Sequence, residues 1–175
     1  MRIVAGTWGG RRLVAPRGRG TRPTADRVRE ALFSILGPLD GERVLDLYAG
    51  SGALGLEALS RGAAHATFVE RERAALRALR DNVADLGADA DVVAADAKAF
   101  LRAAQERGAQ YDLVFLDPPY RAAAGLAQEL EVSPVLAGRA RVVGESDRRA
   151  PLDLDLPLTD ERRYGDTLIR IYTLP

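Results

Sequence analysis

The run Asp117-Pro118-Pro119-Tyr120 follows directly on an apolar segment and combines a carboxylate, two prolines and an aromatic ring. The prolines fix φ and remove two N–H donors, so that local carbonyl groups can face a pocket unpaired. An exocyclic –NH2 group on a ring is a poor nucleophile, because its lone pair is delocalised. The Asp117 carboxylate and the Pro118 carbonyl can hold both of its protons and orient the lone pair for in-line transfer, while Tyr120 offers a ring face for stacking. The run therefore predicts an amine-activating site whose catalytic residues are Asp117, Pro118 and Tyr120; a proline-rich turn without chemistry is the alternative.

A second motif, Gly50-x-Gly52-x-x-Gly55, stands where a predicted strand meets a predicted helix. Glycines at such a junction let the backbone turn tightly and approach a ligand closely. Dinucleotide sites use the same spacing, so the glycines alone do not select a cofactor. Asp46, four residues before Gly50, favours a cationic ligand such as the sulfonium and amino group of S-adenosylmethionine, and it disfavours a pyrophosphate. We expect a branched residue in place of Gly52 to lie in the ligand's path.

Two further carboxylates stand at the ends of the next two predicted strands. Glu70 is placed to accept both ribose hydroxyls of a nucleoside cofactor, and Asp96 is placed to meet an adenine amino group. With the glycine motif, these acids predict a site for S-adenosylmethionine as methyl donor. The predicted donor-binding residues are Asp46, Tyr48, Gly50, Gly52, Glu70 and Asp96.

From residue 43 onward, apolar strands alternate with helices that end at glycines. The predicted strands are 44–48, 66–70, 91–95, 113–116, 141–145 and 168–172, and the predicted helices between them are 54–61, 74–86 and 97–107. This alternation is typical of a parallel sheet that helices cover on both faces. Residues 164–167 have the composition of a hairpin turn and predict a last, antiparallel strand.

The first 29 residues hold eight arginines and one acidic residue, although the whole chain has 25 basic and 25 acidic residues. A basic segment on an acidic body allows a neutral protein to hold a polyanion. Residues 1–22 predict a short hairpin around Trp8-Gly9-Gly10. A helix follows Pro23, with Thr24 as its N-cap, and its predicted core stripe is Val28, Ala31, Leu32 and Ile35. The predicted phosphate contacts are Arg11, Arg12, Arg22, Arg27 and Arg29.

The role of this basic segment has two interpretations. If it grips phosphates, deletion of residues 1–20 should weaken RNA binding and flatten its salt dependence without unfolding the body. If Ile3, Trp8 and Leu13 pack on the body, the same deletion should lower the melting temperature instead. Trp8 fits base stacking and packing equally well.

Composition excludes several classes of protein. The chain has no cysteine, which rules out disulfides, thiolate metal sites and the thiolate nucleophile that cytosine C5 methylation needs. No metal-ligand spacing is present, and we predict no metal. No apolar run approaches a membrane span, and the start lacks a signal-peptide core. A length of 175 residues suits one α/β domain, and we expect a cytoplasmic monomer.

Several segments together resemble one known family. Residues 46–55 and 117–120, the opening 1–6, the stretch 21–33 and the closing 164–167 are similar to the bacterial 16S rRNA guanine-N2 methyltransferases of the RsmD type. The resemblance covers essentially the whole chain, and the stretch 21–33 is its most specific part.

This resemblance implies an α/β, three-layer Rossmann-like class I methyltransferase fold. It has a seven-stranded, mostly parallel sheet with an antiparallel last strand, plus an N-terminal basic hairpin and helix extension. Residues 1–37 would be the RNA-contacting extension and residues 38–175 the S-adenosylmethionine-dependent methyltransferase domain. The implied acceptor is the guanine conventionally numbered 966 in 16S rRNA, on the small ribosomal subunit or an assembly intermediate.

Other functions stay open at this point. Adenine N6 of nucleic acid and a protein glutamine amide also present a planar –NH2 group to the same machinery. The chain has no room for the separate recognition domain that adenine enzymes acting on duplex DNA usually carry, and a protein acceptor would not require the arginines. A nicotinamide-dependent oxidoreductase would leave residues 117–120 without a role. A non-catalytic RNA-binding module with this fold is the remaining alternative.

Overall fold

The computed structural model of the protein describes residues 1–16, 26–119 and 130–175. The helices of these parts are α1 (Asp26–Leu36), α2 (Ala53–Ser60), α3 (Arg73–Leu86) and α4 (Ala97–Glu106), with a 3-10 helix at Ser133–Val135. The strands are β1 (Arg43–Leu47), β2 (His65–Glu70), β3 (Ala90–Ala94), β4 (Tyr111–Leu116), β5 (Leu136–Asp147), β6 (Leu158–Tyr164) and β7 (Thr167–Thr173).

The strands form one sheet in the order β3-β2-β1-β4-β5-β7-β6. Strands β1 to β5 pair in parallel, whereas β7 runs antiparallel to both β5 and β6. The predicted seven-stranded, mostly parallel sheet with an antiparallel last strand is confirmed. The strand order reverses between β1 and β4, and open α/β sheets bind ligands at the carboxyl ends of the strands at such a switch point.

Helices cover both faces of the sheet, which gives the predicted three layers. Val44 and Leu113 face a buried cluster with α1, α2 and α3. Their chain neighbours Leu45 and Val114 face a second cluster with α4, because successive side chains of a strand point to opposite faces. Strand β6 lies at the sheet edge with mostly polar, exposed side chains, so it has no apolar alternation that a sequence reading could detect.

Helix α1 buries a different stripe from the one predicted. Its buried residues are Arg29, Leu32, Phe33 and Leu36, which follow the spacing i, i+3, i+4, i+7 from an arginine. Ile35, which the sequence placed in the core, is 39% exposed. The stripe is displaced by one residue because Arg29 takes a core position, where its guanidinium donates to the Arg2 carbonyl and to Asp26. Thr24, the predicted N-cap, lies outside the described residues.

The predicted N-terminal hairpin is present in residues 1–14. An antiparallel bridge joins Arg2 to Arg12, and the Leu13 amide donates to the Met1 carbonyl. Ile3 has no exposed surface and Leu13 only 6%, and both belong to the cluster that also holds α1, α2 and α3. Ile3 and Leu13 therefore pack on the body, as the second interpretation expects, and the partly buried Trp8 packs against the same cluster. This favours a loss of stability when the segment is removed, which stays a prediction.

The C-terminal half of helix α2 binds the hairpin. The fully buried Glu57 carboxylate accepts the Val4 and Ala5 amides at 2.7 and 3.1 Å. The Ser60 hydroxyl accepts the Trp8 amide at 3.0 Å, and its carbonyl accepts the Thr7 amide at 2.8 Å. The other end of the same helix begins directly after the glycine motif, so α2 links the hairpin to the predicted donor site.

No helix within the described ranges is long and apolar enough to cross a membrane. Those ranges also contain no group of three or more histidine, cysteine or acidic residues arranged to hold a metal ion.

Candidate active site

Four acidic side chains converge at the carboxyl ends of β1, β2, β4 and β5. Asp46 lies in β1 and Glu70 ends β2. Asp117 follows β4 directly, and Glu145 lies near the end of β5. Adjacent parallel strands end at the same edge of a sheet, so the fold brings three of the sequence-predicted acids to one place.

Asp46 is the most buried acid of the donor-binding set, with 2% of its surface exposed. Its Oδ2 accepts the Gly55 amide at 3.0 Å. Burial raises the pKa of Asp46 to about 7 against the effect of this hydrogen bond, and the nearby Glu70 charge raises it further. A carboxyl near its midpoint at neutral pH becomes fully ionised when a cation binds beside it, which fits a sulfonium ligand.

The glycine loop leaves one side open to a ligand. Gly50 has φ 58°, and a Cβ built there would meet no atom within 4 Å. The Gly50 amide donates to Glu70 Oε2 at 2.9 Å, and Glu70 Oε1 accepts two further backbone amides at 2.8 Å. These bonds fix the Glu70 carboxylate beside the open face of the loop, in a position that fits acceptance of ribose hydroxyls.

Gly52 is the loop glycine whose Cβ would point into the core. Its φ is 84°, and a Cβ would lie 2.5 Å from Leu79 Cδ1 and 3.2 Å from Leu56 Cδ1. The expectation that a side chain at this position would lie in the ligand's path is therefore wrong, because that direction leads into the core. Gly55 is similarly required for packing, since its Cβ would lie 2.3 Å from Phe68 Cε1.

We expect the two loop glycines to separate binding from stability. Gly50→Ala should reduce donor affinity by at least about tenfold at a modest stability cost, because the new methyl group projects into the open side of the loop. Gly52→Ala should mainly lower the free energy of unfolding, by about 1–3 kcal/mol, because its methyl group overlaps core side chains. Calorimetric titration and thermal unfolding of both variants test this assignment, and equal effects of the two variants on both quantities would contradict it.

Tyr48 and Asp96 are the other predicted donor-binding residues, and the structure shows the backbone conformation of the first and the partners of the second. Tyr48 has φ 66°, a left-handed conformation that costs a non-glycine residue about 1–3 kcal/mol and tends to occur at functional sites. Asp96 caps α4 by accepting the Lys98 amide at 3.0 Å, and it pairs with Arg71 at 3.1 Å. Tyr48 stands two residues before Gly50 in the sequence, and contact of Tyr48 and Asp96 with the donor stays a prediction.

Asp117 stands at the centre of the acidic group. Pro118 after it is buried and Pro119 is exposed, while Tyr120 lies outside the described residues. Burial raises the pKa of Asp117 well above its usual value, and the charges of Glu145 and Asp46 raise it further. Asp117 therefore has an affinity for a proton that an ordinary surface aspartate lacks.

Glu145 was not among the predicted site residues, although the structure places it there. It is 5% exposed, and the β4–β5 register, in which Leu116 lies beside Gly144, puts the following residues Asp117 and Glu145 side by side. The rule that selected the acids at the ends of the first three strands would also have selected Glu145, because the predicted strand 141–145 ends on it.

The predicted phosphate contacts fall into three groups. Arg12 and Arg27 are exposed, and Arg22 lies outside the described residues. Arg11 pairs with Asp85 at 3.0 Å but keeps half of its side chain exposed. The Arg29 side chain has no exposed surface, so its interpretation as a phosphate contact is wrong: it serves the core between the hairpin and α1.

Comparison with known proteins agrees with this site. A family model described as "Conserved hypothetical protein 95" matches residues 1–173. Ribosomal RNA small subunit methyltransferase D of Escherichia coli K12 is 46% identical over 181 residues, which cover 98% of this chain and 89% of that protein. A solved structure of a hypothetical protein from Thermus thermophilus has 36% identity and a TM-score of 0.85 over 98% of both chains. An S-adenosylmethionine-dependent methyltransferase from Agrobacterium tumefaciens, 18% identical with a TM-score of 0.65 over 91% of this chain and 64% of that one, shares the fold alone.

The sheet order, the glycine loop and the buried acids at the switch point, together with the methyltransferases among the similar proteins, identify a class I methyltransferase that takes S-adenosylmethionine as methyl donor. The residues present fit that donor, because Gly50 leaves an open approach and Asp46 and Glu70 favour a cationic nucleoside. The chain belongs to the family described as Conserved hypothetical protein 95 and is of the RsmD type.

Donor binding should release protons, because a cationic ligand lowers the raised pKa of Asp46. The affinity for S-adenosylmethionine should therefore increase with pH, by about tenfold between pH 6 and pH 8, with release of about half a proton at pH 7. Titration calorimetry in two buffers of different ionisation enthalpy measures the proton count. The Asp46→Asn variant should lose most of this dependence, and proton uptake by the wild type would contradict the role of Asp46.

Proposed function

We propose that the protein methylates the exocyclic N2 of a guanine in 16S rRNA, the base conventionally numbered 966. The small ribosomal subunit or an assembly intermediate would be its substrate. The same relatives that define the family support this proposal, since the Escherichia coli protein is named for small-subunit ribosomal RNA. A ribosomal substrate also implies a cytoplasmic protein, and a monomer stays our expectation.

One observation carries the proposal: the Asp117-Pro118 turn and the donor loop lie on neighbouring strands. β1 and β4 pair in parallel, with Leu47 beside Leu116, so that Asp117 follows β4 next to the start of the loop. Asp117 also lies close enough to Asp46 for their charges to interact. An amine held by Asp117 would therefore be presented directly to the donor site.

The chain's own residues would then position the amine and take up its proton. When bound, S-adenosylmethionine supplies a methyl group on a positively charged sulfur. Asp117 accepts one amine N–H and the Pro118 carbonyl accepts the other, which directs the nitrogen lone pair at the methyl carbon. The nitrogen lone pair would form the new N–C bond, and the sulfur of the donor would leave with the electron pair of the broken C–S bond. The surplus proton on nitrogen passes to the Asp117 carboxylate, whose raised pKa suits a proton acceptor.

Tyr120 would stack on the guanine, which must leave its neighbours in the RNA to reach the turn. Exposed arginines near the N-terminus would hold the surrounding phosphates. We propose Arg12 and Arg27 for this role, together with Arg11 and Arg22.

The proposal is tested by methyl transfer from labelled S-adenosylmethionine to small-subunit particles that lack the modification, followed by identification of the product nucleoside. N2-methylguanosine at position 966 is expected. N6-methyladenosine, or label in protein, would assign the same machinery to another planar amine, and absence of transfer to RNA would overturn the proposal.

The phosphate contacts have a separate test in the salt dependence of RNA binding. Arg12→Ala and Arg27→Ala should each reduce the slope of log affinity against log salt by about 0.7 for a single-stranded contact. Arg102→Ala is a matched control, because this exposed arginine lies on α4 at the opposite face of the sheet. Slopes that do not differ among the three variants would remove Arg12 and Arg27 from the RNA interface.

A further inference from the structure

A buried asparagine joins the donor loop to the basic hairpin. Asn82 in α3 is the single asparagine of the sequence and is 2% exposed. Its Oδ1 accepts the Val14 amide at 2.7 Å, and its Nδ2 donates to the Val14 carbonyl at 3.0 Å. The second Nδ2 proton goes to the Ser51 carbonyl at 2.9 Å. One side chain therefore binds two segments that lie 37 residues apart in sequence.

Ser51 stands between the two glycines of the donor loop and is 7% exposed. The amide of its neighbour Gly50 donates to Glu70, the predicted ribose-binding acid. The loop is thus bonded both to Glu70 and, through Ser51, to Asn82. Any movement of the Ser51 carbonyl on donor binding would act directly on the Asn82 amide.

Val14 lies in the hairpin strand that carries the exposed Arg12. The Val14 side chain is 53% exposed, so side-chain packing does little to fix its position. Its backbone is held instead by the two-point bond with Asn82, which resembles a pair of bonds between antiparallel strands. Asn82 thus determines where the end of this strand lies.

We propose that Asn82 is a positioning residue that couples donor binding to RNA binding. Donor in the loop fixes Ser51 and, through the Asn82 amide, holds the strand of Arg12 in the position that meets RNA. Coupling between two sites is reciprocal, so bound RNA strengthens donor binding by the same factor. This inference rests on the proposed function, because it takes RNA as the ligand of the hairpin.

The coupling is measured as the ratio of two dissociation constants for S-adenosylhomocysteine, which binds without reacting. One is measured without RNA and the other with saturating small-subunit particles that lack the modification. We expect a ratio of about 5 or more in the wild type and a ratio near 1 in Asn82→Ala. Asp85→Ala is the matched control: it removes a different contact between α3 and the hairpin, the ion pair with Arg11, leaves the Arg11 bond to the Asp85 carbonyl in place, and should keep the wild-type ratio. An unchanged ratio in Asn82→Ala, or a ratio of 1 in the wild type, would overturn the inference.

A second measurement needs neither a variant nor RNA. S-adenosylhomocysteine should slow hydrogen exchange of the Val14 amide, which donates to Asn82, by about 5-fold or more. The Leu13 amide, which donates to Met1 within the hairpin, is the internal control and should change less. Equal changes at both amides, or none at Val14, would overturn the inference even if the protein methylates RNA. Conversely, failure of methyl transfer with protection of Val14 intact would remove the proposed function and leave the link from loop to hairpin in place.

Discussion

Replacing Asp117 with alanine is expected to reduce the rate of methyl transfer by about 100-fold to 1,000-fold, because the acceptor amine loses the group that orients it. Affinity for S-adenosylmethionine should change little, since the donor loop is fixed by Asp46, Glu70 and backbone amides. Single-turnover transfer to small-subunit particles measures the first quantity, and calorimetry measures the second. A full rate in the Asp117→Ala variant would reduce residues 117–120 to a structural turn.

Asp117→Asn provides the matched control for folding. This substitution keeps one acceptor oxygen and the shape of the side chain but removes the charge that lies beside Glu145 and Asp46. A carboxyl with a raised folded pKa binds more protons in the folded than in the unfolded state, so its contribution to stability falls as pH rises from about 4 to the raised value. The asparagine variant should therefore melt at a higher temperature than the wild type at pH 8, while it transfers methyl more slowly.

Deletion of residues 1–14 is expected to destabilise the whole domain. Ile3 and Leu13 are buried in the cluster shared with α1, α2 and α3, and loss of each such side chain costs about 2–5 kcal/mol. The buried Glu57 would also lose two of its amide donors. A loss of at least about 4 kcal/mol should lower the melting temperature by roughly 8 °C or more in a domain of this size. Calorimetric melting of the shortened chain measures this quantity, and an unchanged melting temperature would restore the view of the hairpin as a detachable RNA-binding arm.

Substitutions at two glycines of the hairpin can test its contact with α2 separately from backbone strain. Gly6 and Gly10 have nearly the same φ, 83° and 85°, so alanine brings similar backbone strain to both. A Cβ at Gly6 would lie 1.8 Å from the Ser60 carbonyl oxygen, whereas a Cβ at Gly10 would meet no atom within 4 Å. Gly6→Ala should therefore cost at least about 2 kcal/mol more stability than Gly10→Ala. Equal melting temperatures for the two variants would show that the hairpin can leave α2 without loss.

Most of the sheet could be predicted from the sequence, because buried parallel strands are apolar runs that alternate with glycine-terminated helices. Strand β6 could not, since an exposed edge strand such as Leu158–Tyr164 has polar residues on both faces. The stripe of α1 was misplaced for a different reason. A buried arginine reads as a surface residue until its partners are known, and the Arg2 carbonyl that Arg29 reaches lies 27 residues away.

The site residues, too, were only partly predictable from the sequence. The convergence of Asp46, Glu70 and Asp117 could be predicted, because each lies at or just after the end of a predicted parallel strand and such strands end at the same edge of the sheet. The inner orientation of Gly52 does not, because Leu79 of α3 is what its Cβ would meet. The basic hairpin is held in place by Glu57 and Asn82. Both are polar residues within helices, and the sequence pattern alone would place them on the solvent-exposed face. Buried polar groups need their hydrogen-bond partners, and distant partners are visible only in the folded chain.

The attachment of the hairpin also affects the order of events during synthesis. Val4 is bonded to a residue 53 positions later and Val14 to one 68 positions later. At the usual rate of elongation, the hairpin waits roughly 3 to 14 seconds after Val14 is made before Asn82 follows it. During that interval Ile3 and Leu13 have no core to enter, and each is preceded directly by an arginine. Charges next to exposed apolar residues oppose aggregation of nascent chains, and we expect Arg2 and Arg12 to have this effect on the growing polypeptide.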